Sequence, residues 1–174
     1  MDANGHANGA AVRTYAVTAV GPDAPGEVAA LAEALAALGA NLEDASMTRL
    51  RGHFAMTLVA AVAADPEAVR DALEAAGTGL HLSVFDVAAD PLPEQAGIAH
   101  RLVVHGADRP GLLATVARAV ARRGGNITDL TCRLAGGLYV ITLELELPAA
   151  DGLAEELSRA GLVASLVEVS EDVL

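Results

Sequence analysis

The chain has 174 residues and a formal net charge of −12, and all 11 of its basic residues are arginines. This balance argues against direct nucleic-acid binding, and the missing lysine excludes a Schiff-base enzyme and a Walker-type phosphate loop. No apolar run is long enough to predict a membrane span. Because Cys132 is the only cysteine, an internal disulfide is impossible, and we expect a cytoplasmic protein.

The first predicted unit covers residues 13–88, after a polar stretch, residues 1–12, that predicts a disordered tail. A first strand leads through the loop at residues 21–26 into a helix over residues 25–38, with Pro25 in its first turn. Gly39 is expected to end this helix in a left-handed conformation. The unit then continues with a hairpin over residues 41–62, a helix over residues 65–76 and a strand over residues 80–87.

The second unit, residues 99–170, follows a Pro-rich linker at residues 89–98 and repeats the first. Residues 15–62 align without a gap onto residues 100–147. The identical pairs include those at the loop, the helix stop and the hairpin turn: Asp23/Asp108, Pro25/Pro110, Gly26/Gly111, Gly39/Gly124 and Gly52/Gly137. The element order predicts an α+β fold of two ferredoxin-like βαββαβ units, each a four-stranded antiparallel sheet with two helices on one face. The uncovered sheet face and open edges predict a homo-oligomer, with a dimer as the simplest case.

A family resemblance rests on the second unit, where Asp108-Arg109-Pro110-Gly111-Leu112-Leu113 follows the first strand and Gly124-Gly125-Asn126-Ile127 follows the first helix. This pattern resembles the ACT domain, a small-molecule sensing module. A tandem pair without a catalytic domain is similar to the glycine cleavage system transcriptional repressor group. The resemblance implies a non-enzymatic regulator that binds a small amino acid, such as glycine or serine, at an ACT–ACT interface. It would signal to a protein partner and so control amino-acid (glycine) metabolism genes indirectly, with no cofactor or metal.

The strand-to-helix loop, which we call the corner, supplies most of the candidate ligand-binding residues. A glycine permits close approach of the main chain to a ligand, and a helix N-terminus offers free N–H groups to a carboxylate. An aspartate could take a ligand ammonium, and an asparagine entering the next strand is expected beside the corner. The candidates are Asp108, Arg109, Pro110, Gly111, Leu112, Leu113, Asn126 and Ile127, and in the first unit Asp23, Ala24, Pro25, Gly26, Glu27, Val28, Asn41 and Leu42.

The first unit departs from the family pattern, because Ala24 stands at the position of Arg109 and Glu27 at that of Leu112. The same residues also fit purely structural roles. Each corner fits a tight turn with a capping aspartate, and Asn126 fits a helix exit. The alternative function is a ligand-independent protein-interaction or oligomerisation module. An enzyme ranks last, because no nucleophile–base group, metal spacing or cofactor loop is present in the sequence.

Overall fold

A computed structural model of the protein describes residues 11–87 and 97–169. The chain divides into two compact units, residues 1–91 and 92–174. The elements of the first unit are β1 (Arg13–Pro22), α1 (Glu27–Ala37), β2 (Asn41–Leu50), β3 (His53–Val62), α2 (Pro66–Ala75) and β4 (His81–Asp86). Those of the second are β5 (Ile98–Ala107), α3 (Leu112–Ala121), β6 (Asn126–Ala135), β7 (Leu138–Leu147), α4 (Leu153–Arg159) and β8 (Val163–Glu168). Within the described ranges, no helix has the length and apolarity needed to cross a bilayer.

Each unit contains one four-stranded sheet, with the strand order β2-β3-β1-β4 in the first and β6-β7-β5-β8 in the second. All neighbouring strands are antiparallel. The first strand of each unit is therefore central, and the chain reaches the next strand by a helical crossover. The predicted α+β fold of two ferredoxin-like βαββαβ units is confirmed.

The core of each unit lies between the sheet and its helices, as the apolar periodicity predicts. Alternate residues of β1, such as Tyr15 and Val17, are buried together with Leu31 of α1 and Leu73 of α2. The second unit repeats this packing with aliphatic side chains from β5, β7, α3 and α4, namely Leu102, Val104, Val116, Val120, Ile141, Leu143, Leu145, Leu153 and Leu157. The other sheet face carries no helix of its own unit, so its side chains are more exposed.

The helices begin later than predicted, at Glu27 and Leu112, because a glycine precedes each of them in a left-handed conformation. Gly26 has φ 96° and Gly111 has φ 81°, so the regular helix cannot include them. Pro25 consequently lies in the turn before α1, and the prediction that it occupies the first helical turn is wrong.

The predicted stops of both helices are confirmed, since Gly39 has φ 71° and Gly124 has φ 68°. Most of the predicted tail and linker lies outside the described residues, so their bounds and the exact domain limits stay predictions. Ile98, the last residue of the predicted linker, already belongs to β5.

Candidate ligand-binding site

The two corners have the same main-chain geometry. The backbone N–H of Asp23 donates to the carbonyl of Gly52 at 3.0 Å, and that of Asp108 donates to the carbonyl of Gly137 at 3.3 Å. Each corner is therefore tied to the turn of its own hairpin, β2–β3 or β6–β7. The same bond recurs at the equivalent position of each unit, as the gap-free alignment of the two units requires.

A cavity of about 500 Å³ opens at the second corner. Its walls come from the loop and the first turn of α3 on one side, and from β6 and β7 on the other. The lining residues are Asp108, Arg109, Pro110, Gly111, Leu112, Leu113, Ala114, Cys132, Tyr139 and Ile141. The volume falls within the range of small-molecule sites. All six predicted corner residues of this unit, 108–113, are thus brought together around one cavity.

The lining of this cavity includes one acidic and one basic residue, Asp108 and Arg109. Nη2 of Arg109 donates to the carbonyl oxygen of Ala160 at 3.0 Å, which anchors the guanidinium and leaves other N–H groups for a ligand. The carboxylate of Asp108 has no ion-pair partner among the described residues. Because α3 also begins here, its first free N–H groups add partial positive charge. The cavity lining therefore contains both a positively and a negatively charged side chain.

Cys132 and Tyr139 line the cavity but were missed by sequence reasoning. Cys132 pairs with Ile141 across the β6–β7 hairpin, and Tyr139 pairs with Leu134. The hairpin turn at residues 136–137, taken with strand alternation, could have placed both residues on the helix-facing side. Burial raises the pKa of the Cys132 thiol, although the nearby Arg133 opposes this effect. The side chain is therefore a neutral wall of the cavity at pH 7 rather than an activated nucleophile.

The first corner holds a cavity of similar size, about 510 Å³. It is lined by Asp23, Ala24, Gly26, Glu27, Val28, Ala29, Ala32, Met47 and Phe54. Most of these positions are the equivalents of the second-unit lining, with Met47 in place of Cys132 and Phe54 in place of Tyr139. Of the six predicted corner residues in this unit, Pro25 alone is not part of the cavity wall.

The charges at the first corner are arranged differently. The carboxylate of Asp23 accepts a hydrogen bond from Nη1 of Arg49 at 3.2 Å, so this group already has a partner. Glu27 stands at the position of Leu112 and is only 8% exposed. Its Oε2 atom is buried and has no hydrogen-bond partner among the described residues. None of the residues that line this cavity is basic.

The remaining candidates lie at the opposite end of each sheet from the corner. Asn126 and Asn41 begin β6 and β2, opposite Glu146 and Ala61, while Ile127 and Leu42 come next in those strands. The cavity instead lies beside Cys132, which is about 20 Å along the strand from Asn126 at the usual rise per residue. The expectation that these asparagines adjoin the corner of their own unit is wrong. The physical reason is that the helix carries the chain back along the sheet, so the next strand starts at the far end.

Comparison with known families supports the same division of the chain. Residues 13–85 match a family model of the ACT domain, and residues 100–161 match a second ACT-domain model. The chain is also similar to a UPF0237 protein of Methanopyrus kandleri, at 39% identity over 78 residues, which are 41% of this chain and 87% of that protein.

Two solved structures resemble nearly the whole chain. An unknown protein from Galdieria sulphuraria has a TM-score of 0.77 and 27% identity, with coverage of 92% of this chain and 100% of that one. A protein described as a candidate glycine cleavage system transcriptional repressor has a TM-score of 0.67 and 18% identity, with coverage of 92% and 99%. At that identity, the second likeness shows the fold alone.

Proposed function

Because this chain belongs to the ACT-domain family and carries two ACT domains in tandem, we propose that it is a non-enzymatic regulatory protein that senses a small amino acid. The amino acid binds at the second corner, and the ligand-bound state is passed to a protein partner. Control of glycine-metabolism genes would then be indirect. The net charge of −12 supports a protein partner over DNA, and the single cysteine fits a cytoplasmic site of action.

The observation that carries this proposal is the pair of unlike charges on one small cavity. The guanidinium of Arg109 and the first N–H groups of α3 suit the ligand carboxylate, while the carboxylate of Asp108 suits its ammonium. Tyr139 and Leu113 provide apolar surface for a side chain of limited size. A zwitterion satisfies both charged groups at once, whereas a simple anion or cation satisfies only one.

Absence of catalysis is part of the proposal. Among the residues that the structure describes, no three His, Cys, Asp or Glu side chains come together as a metal site would require. The thiol in the cavity wall has a raised pKa, which opposes nucleophilic chemistry at pH 7. An assay that found turnover of an amino-acid derivative, abolished by a change at Cys132, would overturn this part.

The predicted roles of Asn126 and Ile127 require another copy of the chain. Both residues lie at the far end of their own sheet, so they reach a ligand at a second corner only from a different molecule. We propose that the protein forms a homodimer in which such contacts complete the site. Asn126→Ala should then weaken ligand binding without changing the fold, which a titration together with a circular dichroism spectrum would check. The equivalent roles of Asn41 and Leu42 at the first corner would be supplied in the same way.

The test of the main proposal is a calorimetric titration of the whole chain with the common amino acids. We expect saturable binding, and we expect Arg109→Ala and Asp108→Asn each to weaken it by about tenfold or more, as for loss of a charge-assisted hydrogen bond. Arg70→Ala is the matched control, because it removes an exposed arginine from α2 of the other unit. No heat of binding from any amino acid at millimolar concentration would contradict the proposal.

The second candidate function is a ligand-independent interaction module. The observation that favours it is apolar exposure on the edge strand β8, where Val163 is 70% and Val167 is 59% exposed. Molar mass in solution separates the two functions. A stable complex with a protein partner, unchanged by any amino acid and by Arg109→Ala, would favour the interaction module.

A further inference from the structure

The cavity at the first corner contains a buried carboxylate that the amino-acid sensor does not use. Glu27 lines this cavity, is only 8% exposed, and has an Oε2 atom without a partner among the described residues. A buried polar group that makes no hydrogen bond costs free energy, and an ionised carboxylate costs more. Partial positive charge at the start of α1 offsets part of this cost but leaves the oxygen without a donor.

Because the described residues supply no donor to Oε2, we consider a ligand that enters the cavity and meets this carboxylate. The other cavity-lining residue with an ionisable side chain, Asp23, is already engaged with Arg49 at 3.2 Å. The rest of the lining consists of small and apolar residues, including Val28, Met47 and Phe54. These walls provide two carboxylates, one paired with Arg49 and one, that of Glu27, without a partner for Oε2 among the described residues, and they provide no basic side chain for an anion.

We propose that the first corner binds a primary amine with a short apolar body, held by a charge-assisted hydrogen bond from its ammonium to Glu27. An ammonium carries three donors and a full positive charge, so it satisfies a carboxylate better than a neutral group does. The aliphatic part of the amine lies against Met47 and Phe54. The cavity of about 510 Å³ is large enough for such a molecule.

The same side chain makes this corner reject amino acids. At the second corner, Leu112 holds the first position of the helix, and Arg109 lies three residues before it in the same cavity wall. At the first corner, Glu27 places its own carboxylate at that position, and Ala24 replaces the arginine. A ligand carboxylate would therefore meet a like charge without a compensating cation. The two corners would sense different chemical classes, an amine at the first and a zwitterion at the second.

The test uses a matched pair of probes, isobutylamine and valine, which differ by one carboxylate. The whole chain is titrated with each probe and followed by amide chemical shifts in NMR spectra. Titration with isobutylamine should give saturable shifts of the backbone amides of residues 26–29. Glu27→Gln should weaken the affinity for isobutylamine by about tenfold or more, since the carboxamide keeps the shape of the carboxylate and loses its charge. Glu33→Gln, the same change at an exposed position of α1, should leave the affinity for isobutylamine unchanged.

The result that overturns the inference is the absence of saturable shifts at residues 26–29 with millimolar isobutylamine. An equal affinity in Glu27→Gln, or an equal affinity of valine for the same residues, would also overturn it. Two controls verify that Glu27→Gln folds: its circular dichroism spectrum, and amide chemical shifts at the second corner that match those of the parent chain. The outcome is independent of the sensor proposal. Amine binding at Glu27 can succeed while amino-acid binding at Arg109 fails, and amino-acid binding can succeed while amine binding fails.

Discussion

The two corners of the molecule share one main-chain path and differ in chemistry. Each is tied to its hairpin turn by one backbone hydrogen bond, has a left-handed glycine before the helix, and opens a cavity of about 500 Å³. The lining of the second corner includes both Arg109 and Asp108, whereas that of the first has Ala24 and a buried Glu27. The comparison shows that a duplicated fold keeps the cavity, while the side chains at these two positions give the two cavities different charges.

The largest effect is expected when the first-corner carboxylate is copied into the second corner as Leu112→Glu. Leu112 is 3% exposed, so the new carboxylate would lie in a packed core without a partner. The free energy of unfolding of the second unit should fall by roughly 3 kcal/mol or more, as for an unpaired buried charge. Urea denaturation measures this. Leu113→Glu is the control, because Leu113 is 38% exposed and should tolerate the charge; equal losses in both variants would contradict the comparison.

A second difference lies at the exit of the first helix, where the first unit has Ala40 and the second has Gly125. A Cβ at Gly125 would overlap with the Leu147 side chain and come within 2.9 Å of that of Val120, both in the core. Gly125→Ala should therefore destabilise the second unit by about 1–3 kcal/mol, as overpacking does. Thermal or urea unfolding gives the value. Unchanged stability would show that the two helix exits are interchangeable.

The converse change at the first corner, Glu27→Leu, should increase stability. It replaces a buried carboxylate that lacks a partner with the side chain found at the second corner, and the expected gain is about 1–2 kcal/mol. Urea denaturation in the absence of amines measures it. Glu33→Leu on the exposed side of α1 is the matched control and should have little effect. A loss of stability in Glu27→Leu would mean that the carboxylate already has a donor.

The smallest effect concerns an ion-pair network present between the helices of the second unit. Arg123 and Arg122 follow the last residue of α3, and both donate to the carboxylate of Glu156 on α4. These hydrogen bonds lower the pKa of Glu156, and the bond from Arg123 has the largest effect. Because the folded-state pKa is depressed, the stabilisation is complete above the ordinary carboxyl pKa of about 4.3 and is lost as pH falls through the folded-state pKa.

Glu156→Gln should therefore be slightly less stable than the parent at pH 7 and equal to it once the pH is well below the usual carboxyl range. Thermal unfolding at a series of pH values gives the difference. The effect is small because the pair is accessible to solvent and screened by salt. A difference that grew as the pH fell would contradict the assignment.

Much of this comparison could be predicted from the sequence. The gap-free internal repeat and the apolar periodicity predicted the element order, the sheet and the position of both corners. Local patterns were sufficient for these features because alternation and glycine placement depend on neighbouring residues. The late helix starts at Glu27 and Leu112 were missed, because a left-handed glycine at the entrance is a conformation that the residue type permits but does not require.

Features that depend on tertiary packing could not be predicted in the same way. The asparagines were expected beside the corners of their own units, although the crossover helix carries the chain to the far end of the sheet. The network around Glu156 joins α3 to α4, which the whole β6–β7 hairpin separates along the chain. Glu27 was a candidate ligand-binding residue from the sequence, but its burial depends on walls supplied by β2 and β3 and could not be predicted from its place in the chain.

The most direct measurement of the central claim is NMR mapping of the full chain during titration with each common amino acid. The account predicts saturable shifts of the backbone amides of residues 108–113 with at least one amino acid, and their loss in Arg109→Ala. Shifts at residues 23–28 should be absent with that ligand. No shift at the second corner with any amino acid at millimolar concentration, or shifts that survive in Arg109→Ala unchanged, would contradict the account.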